Sequence, residues 1–387
     1  MAAVLVQTLR VDISMAFVCM LKTPNRTSEE VNVTTNNQHC SGFDNRSMNQ
    51  NYEGEFEWSD TLQANVLAGY FYGYVATNSL GGLLADKYGA KRVVGGSILS
   101  ASILTILHPS LSRISGYLTL ILRILTGMAS GSIYPAVQSL YGRWAPPQEI
   151  GSLVGLTFSG LNLGNIVGLP TSGYLCVYGF DNGWGSIFYI FGGISLVFSC
   201  VWFYVVYDTP DVHPTISEKE HSYLNRIITI EKVVKKVPWR RLISSPAVWA
   251  ISFGWFAYCW TSLSFQVLLP LYMKEALNVN ATSNGLMSSA SSVAQIIALP
   301  LYAGIIFGIA NTIAATSGSI SPLTAKALTP NGTQEEWQIV FALCAAICVV
   351  GTILYAILAR GEIQDWAISE DSGVSVPLND MNTNKPA

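Results

Sequence analysis

Three charged side chains stand inside otherwise apolar stretches: Arg10 and Asp12 within Met1 to Leu21, and Arg123 within Tyr117 to Tyr141. An ionisable group in a bilayer interior costs at least about 2.5 kcal/mol on insertion scales, so each is a candidate functional group. A guanidinium stays charged and can grip a carboxylate or phosphate through two parallel hydrogen bonds. Arg10 is therefore the first candidate for holding an anion and Arg123 the second. Asp12 is a candidate to carry a proton or to help bind sodium. Arg10 and Asp12 lie two helical positions apart, about 200° of rotation, so they do not face each other. The competing readings are structural: Arg10 or Asp12 paired with another helix, and Arg123 snorkelling to the outer interface while Gly127 and Gly131 pack.

Other chemistry is missing. The chain has no Gly-x-Ser-x-Gly, no His-Glu-x-x-His and no paired intramembrane aspartates, so it is not expected to be an enzyme. Seven cysteines show no metal-ligand or Cys-x-x-Cys spacing, and no metal or cofactor is expected beyond a coupling proton or sodium ion. Six cysteines fall in or beside apolar runs, whereas Cys40 lies in a polar segment and could bridge to Cys176 near another outer end.

The elements that position these groups follow from composition. Half of the 387 residues are hydrophobic, 12% are charged and mean hydropathy is +0.37, the profile of a polytopic membrane protein. Runs of roughly 20 apolar residues, enough to cross a bilayer, recur along nearly the whole length. Between two of them lies Gly82-Leu-Leu-Ala-Asp86-Lys87-Tyr-Gly89-Ala-Lys91-Arg92, whose three cations place it on the cytosolic side. Gly89 permits a tight turn there, and Asp86 can cap and pair at a helix end. The acceptor triplets at Asn25, Asn32 and Asn45 fall in the polar segment 22–60, which suggests a glycosylated lumenal or extracellular face; Asn280 and Asn331 head two more.

These sides divide the chain into a six-span bundle over 1–207, a cytosolic linker over 208–245, an incomplete bundle over 246–361 and a tail over 362–387. The linker holds seven Lys or Arg against five acids, with helical charge patterning from Ser217 to Lys236. Residues 276–325 carry no charge and must cross twice, turning near Pro300, if all five triplets are to lie outside; the count is then ten spans. Gly160, Gly164 and Gly168 recur at a spacing of four and mark a stripe where another helix can approach closely. Nothing points to nucleic acid.

Several motifs together resemble one family. The segment Gly82 to Arg92 resembles the loop between the second and third spans of major facilitator transporters. Arg10-Val-Asp-Ile-Ser, Gly69-Tyr-Phe-Tyr-Gly-Tyr, Arg123-Ile-Leu-Thr-Gly, Tyr134-Pro-Ala, Trp144-Ala-Pro-Pro, Leu269-Pro-Leu-Tyr-Met-Lys-Glu and Gly361-Glu-Ile-Gln-Asp-Trp resemble the anion carriers among them. That family contains sialin, the vesicular glutamate transporters and the type I sodium-phosphate cotransporters. The resemblance implies an all-α membrane fold of the major facilitator type, with about 10 of the usual 12 helices. It implies secondary transport of a small organic or inorganic anion, such as an acidic sugar or phosphate, by alternating access. It also implies a monomer in a lysosomal, vesicular or plasma membrane.

The resemblance passes from the eighth span directly to the start of the eleventh, and no leader precedes Met1, so a transport-inactive truncated variant is the alternative. By resemblance Arg10 lies on the cavity wall and Arg123 in the fourth-span motif tied to substrate or proton coupling. The segment Gly82, Asp86, Lys87, Gly89, Lys91 and Arg92 is implied to switch conformation. Of Tyr70, Phe71, Tyr72 and Tyr74 one or two can line the cavity, with Tyr72 a candidate, and Tyr258 stands where glutamate carriers have an arginine. Ala68, Ser130 and Gln138 replace the titratable residues of proton-linked relatives, which disfavours ordinary proton coupling and raises sodium coupling or uniport.

Overall fold

The computed structural model describes residues 1–22, 54–231, 244, 246–277, 279–297 and 304–358. Its elements are α1 Ala2–Met20, α2 Asp60–Tyr88, α3 Ala90–Ser112, α4 Gly116–Gly131, α5 Ile133–Trp144, α6 Pro147–Tyr178, α7 Trp184–Val205, α8 Glu218–Glu231, α9 Pro246–Glu275, α10 Ala281–Ile297, α11 Gly304–Leu328 and α12 Gln334–Leu358. Among the described residues one isolated bridge, Leu21 to Phe56, is the only extended pairing. α4 and α5 form one crossing, interrupted because the Pro135 ring clashes with the carbonyl four residues back, at Gly131. With α8 in the linker, ten candidate crossings remain among the described residues.

Among the described residues six stretches are long and apolar enough to span a membrane by composition alone: Ala2–Met20, Ala90–Ser112, Gly116–Trp144, Ser152–Tyr178, Trp184–Val205 and Gln334–Leu354. α2, α9, α10 and α11 bury the polar side chains Asn78, Gln266, Asn284 and Ser317.

Glycines set which helices meet. A Cβ at Gly164 would press on the Val4 carbonyl and on Gln7, and one at Gly168 on Thr8, so the stripe on α6 is where α1 lies against it. α2 packs on α4 in the same way, since a Cβ at Gly127 would collide with the Tyr70 carbonyl and one at Gly131 with that of Tyr74. Helices before the linker meet helices after it chiefly where α6 packs on α10, α2 on α11 and α1 on α9, with a smaller contact of α1 with α10.

Two local expectations are corrected. The charged segment is not a loop: α2 runs through Gly82, Asp86 and Lys87 to Tyr88, α3 starts at Ala90 and carries Lys91 and Arg92, and the turn is Gly89 alone at φ +90°. Such a φ favours glycine, and a Cβ there would also strike the Asp208 carboxylate. Cys176 is bridged to Cys19 and not to Cys40, because the glycine stripe brings α6 onto α1 and sets the two Cα atoms 6.0 Å apart. Cys40 lies outside the described residues.

Lys87, Lys91, Arg92 and Arg143 gather at one end of the bundle, where Arg143 Nη2 is 3.2 Å from Asp86 Oδ1. At the other end, Asn280 and Asn331 sit in the turns before α10 and α12, with Leu21 and Asp60 nearby through Lys274 and Lys326. By the positive-inside bias the first end is cytosolic and the second outer. Asn25, Asn32 and Asn45 lie outside the described residues. Beyond Ser217, whose hydroxyl accepts from the Glu220 amide, the linker folds into α8.

Candidate functional site

A cleft of about 80 Å³ opens at mid-height between the two sets of helices. α1 contributes Gln7 and Arg10, α2 Tyr74, α5 Tyr134, α6 Phe158 and Asn162, and α9 Trp255, Tyr258, Cys259, Ser262 and Gln266. Arg10 is the one charged residue on its wall among the described residues. The guanidinium carbon lies 4.9 Å from the centre of the Phe71 ring, and Nε has no hydrogen-bond partner among the described residues. No described carboxylate pairs with Arg10, and a cation over an aromatic face with no carboxylate beside it is an anion-attracting arrangement.

Arg123 occupies a different place. It is 1% exposed, sealed between α1, α2 and α4, with Nη1 3.2 Å from Asp12 Oδ1. Its Nη1 also donates to the Leu9 carbonyl at 3.2 Å and its Nη2 to the Arg10 carbonyl at 2.8 Å, while the Tyr70 ring stacks on it at 5.4 Å. Arg123 therefore does not line the cleft, and the close approach of α2 at Gly127 and Gly131 closes it off. Asp12 is likewise buried, with Oδ1 accepting from the Ile13 amide and Oδ2 without a partner among the described residues.

Of the two tyrosines singled out, Tyr258 lines the cleft and Tyr72 does not. Tyr72 is 36% exposed, its hydroxyl 3.5 Å from Asn65 Oδ1. Tyr70 and Tyr74, spaced by four, share the inner face of α2, which leaves Tyr72 on the outer one. The neutral amides Gln7, Asn162, Asn165 and Gln266 were not singled out, yet three of them line the cleft and Asn165 bonds to Gln7. Their signal in the sequence is a carboxamide inside an apolar span, which nearly always finds a polar partner.

At the outer end the two helix sets are tied together. Lys326 on α11 donates to Glu275 Oε1 on α9 at 2.8 Å and stands 3.5 Å from Asp60 Oδ1 at the start of α2. Lys274 donates to the Leu21 carbonyl at 3.0 Å. These contacts join α9 and α11 to the ends of α1 and α2.

Ten crossings around a central cleft, with helices from both sets on its wall, define a membrane carrier. The profile of the Major Facilitator Superfamily matches residues 46–308. A Caenorhabditis elegans protein described as an uncharacterized transporter is 32% identical over 456 aligned positions, covering 96% of this chain and 92% of that protein. Human sialin is 30% identical, covering 95% and 89%, and human vesicular glutamate transporter 2 is 28% identical, covering 83% and 68%. The inward-open xylose transporter XylE of E. coli superimposes with a TM-score of 0.54 at 11% identity, over 95% of this chain and 97% of that one. A bacterial homolog of the human lysosomal transporter Spinster gives 0.53 at 13%, over 93% and 79%. These two show the shared fold. The chain belongs to the Major Facilitator Superfamily, in the branch that holds sialin and the vesicular glutamate transporters; it is an integral, multi-pass membrane carrier. The alignment with the worm protein, at 456 positions, is longer than the 387 residues of this chain, so that protein contains internal stretches with no counterpart here.

Proposed function

We propose that the chain is a secondary transporter, not an enzyme, that moves a small organic or inorganic anion across the membrane by alternating access. Arg10 is the anion-binding group, with Tyr258 beside it. The observation that carries this reading is the unpaired guanidinium of Arg10 on the cleft wall. Binding an anion offsets the cost of keeping that charge in the membrane interior. The cleft of about 80 Å³ is smaller than the roughly 300 Å³ of ordinary small-molecule sites, so loading requires the two helix sets to part, as rocking of the bundles about a central site would allow. Acidic sugars and phosphate are the first solutes to test, and the protein acts as a monomer in a lysosomal, vesicular or plasma membrane.

Asp12 is the candidate coupling residue. It lies one face away from the solute, against Arg123, so a proton or sodium ion at its carboxylate would alter the α1–α4 contact and not the solute directly. Arg123 is assigned to that pair and not to the solute.

Purified protein in liposomes, challenged with labelled sialate, glucuronate, urate, phosphate and glutamate under imposed proton, sodium and voltage gradients, tests the reading. Uptake of at least one anion, lost in Arg10→Ala with surface expression intact, supports it. No uptake by the native chain favours a transport-inactive variant, a reading that the stretches absent relative to the worm protein support.

A further inference from the structure

The cleft carries a second polar device whose role differs from that of Arg10. Gln7 on α1 donates both hydrogens of its amide nitrogen, one to Asn165 Oδ1 on α6 at 2.8 Å and one to Gln266 Oε1 on α9 at 3.0 Å. Gln266 in turn donates to Ser262 Oγ at 2.9 Å. All three amides are more than nine-tenths buried. Gly164 makes the cluster feasible, since a Cβ there would stand 2.8 Å from Gln7 Cβ and push α6 away. Two donors beside the cluster are left over among the described residues: Asn165 Nδ2 and the Tyr134 hydroxyl.

A guanidinium recognises negative charge and does little to separate one small anion from another. A carboxamide offers a donor and an acceptor together, which is what a hydroxyl or amide on the solute requires. A site built to hydrogen-bond such a group rejects an analogue lacking it, because the site's own buried polar atoms are then unpaired. The bond between Gln7 and Gln266 also links helices from the two sets across the cleft, so it must yield when they part.

We propose that Gln7 and Gln266 are the specificity-determining residues of the cleft, with Asn165 positioning Gln7. They select, among anions that Arg10 can hold, those carrying neutral hydrogen-bonding groups, by exchanging the Gln7–Gln266 bond for bonds to the solute. The proposal rests on the reading of the cleft as an anion site.

The test is uptake of labelled glucuronate by the full chain in liposomes, competed by unlabelled glucuronate or by cyclohexanecarboxylate, a six-membered ring with the carboxylate but without hydroxyls. In the native protein cyclohexanecarboxylate competes at least about 100-fold more weakly. In Gln7→Leu the gap narrows to within about 10-fold, through weaker binding of glucuronate, and Gln266→Leu moves the same way. A native ratio near one overturns the proposal whatever the variants do, as does a ratio unchanged in both variants, the result that a packing role gives. If Gln7→Leu does not fold, the native ratio and Gln266→Leu still decide. Uptake of phosphate but not glucuronate overturns this proposal and leaves the anion site standing, whereas uptake of no anion removes both.

Discussion

Arg123 Nη1 lies 3.2 Å from Asp12 Oδ1, while Arg10, two residues earlier on the same helix, turns its guanidinium to the Phe71 ring and the cleft. One helix thus presents a charge to each of two opposite faces. The face toward α4 is neutralised internally, and on the face toward α9 no described carboxylate pairs with Arg10.

The two arginines should behave differently in unfolding. Arg123→Ala leaves the Asp12 carboxylate buried without its partner and is expected to destabilise by about 3–5 kcal/mol. Arg10→Ala removes no ion pair and is expected to change stability by about 1 kcal/mol or less. Thermal unfolding of the purified variants in detergent separates them, and equal losses would contradict the assignment of Arg10 to the solute.

Lys326 holds α9 and α2 together at the outer end through Glu275 and Asp60. Lys326→Met is expected to shift the carrier toward an outward-open form. Cys259 on the cleft wall is a native reporter. Its labelling by a membrane-impermeant thiol reagent added outside should speed up several-fold once the other free cysteines are replaced, and an unchanged rate would show that the ion pairs do not govern closure.

The outer surface contains a carboxylate whose ionisation is linked to folding. Partial burial pushes the Glu55 carboxyl up, but the Arg113 guanidinium at 2.9 Å and the Asn182 and Trp184 donors outweigh it and hold the group below its ordinary value. A depressed folded-state value means stability that is present above the unfolded value, about 4.3, and fades as pH falls through the folded one. Glu55→Gln is expected to lose about 1 kcal/mol at pH 7. That difference should persist at pH 5 and shrink only below about pH 4, which unfolding at a series of pH values would reveal.

Gly127 lets the α4 backbone touch that of α2. Gly127→Val is expected to destabilise by about 1–3 kcal/mol or more, since the clash is with the Tyr70 carbonyl and not with a movable side chain. Gly96, with nothing within 4 Å of a Cβ, is the control, and Gly96→Ala should be nearly neutral in the same unfolding measurement.

The apolar runs and the charges inside them were legible in the amino-acid sequence because each rests on local composition, although composition alone marks only six described stretches as membrane-spanning. A bilayer demands apolar runs, and a charge within one stands out on its own. The stripe Gly160, Gly164 and Gly168 was equally readable as a close-packing surface, and the 200° between Arg10 and Asp12 already set them on opposite faces. Which partner each would meet was not readable. Arg123 was a candidate for the solute until the position of α1 put Asp12 and two carbonyls around it. Cys176 was a candidate partner for Cys40 until α1 brought Cys19 beside it. Tyr72 carried no mark separating it from Tyr74 until the rotation of α2 was fixed by its contact with α4 and α11.

The amide cluster was the least visible feature, because three carboxamides at positions 7, 165 and 266 share no local pattern. Sequence alone determined that the chain crosses a membrane and which charges it takes inside, since the free energy of burying a residue in lipid depends on that residue. Tertiary structure decided which of those charges is neutralised and which has no described carboxylate beside it, since that depends on what another helix, distant in sequence, places within about 3 Å of it.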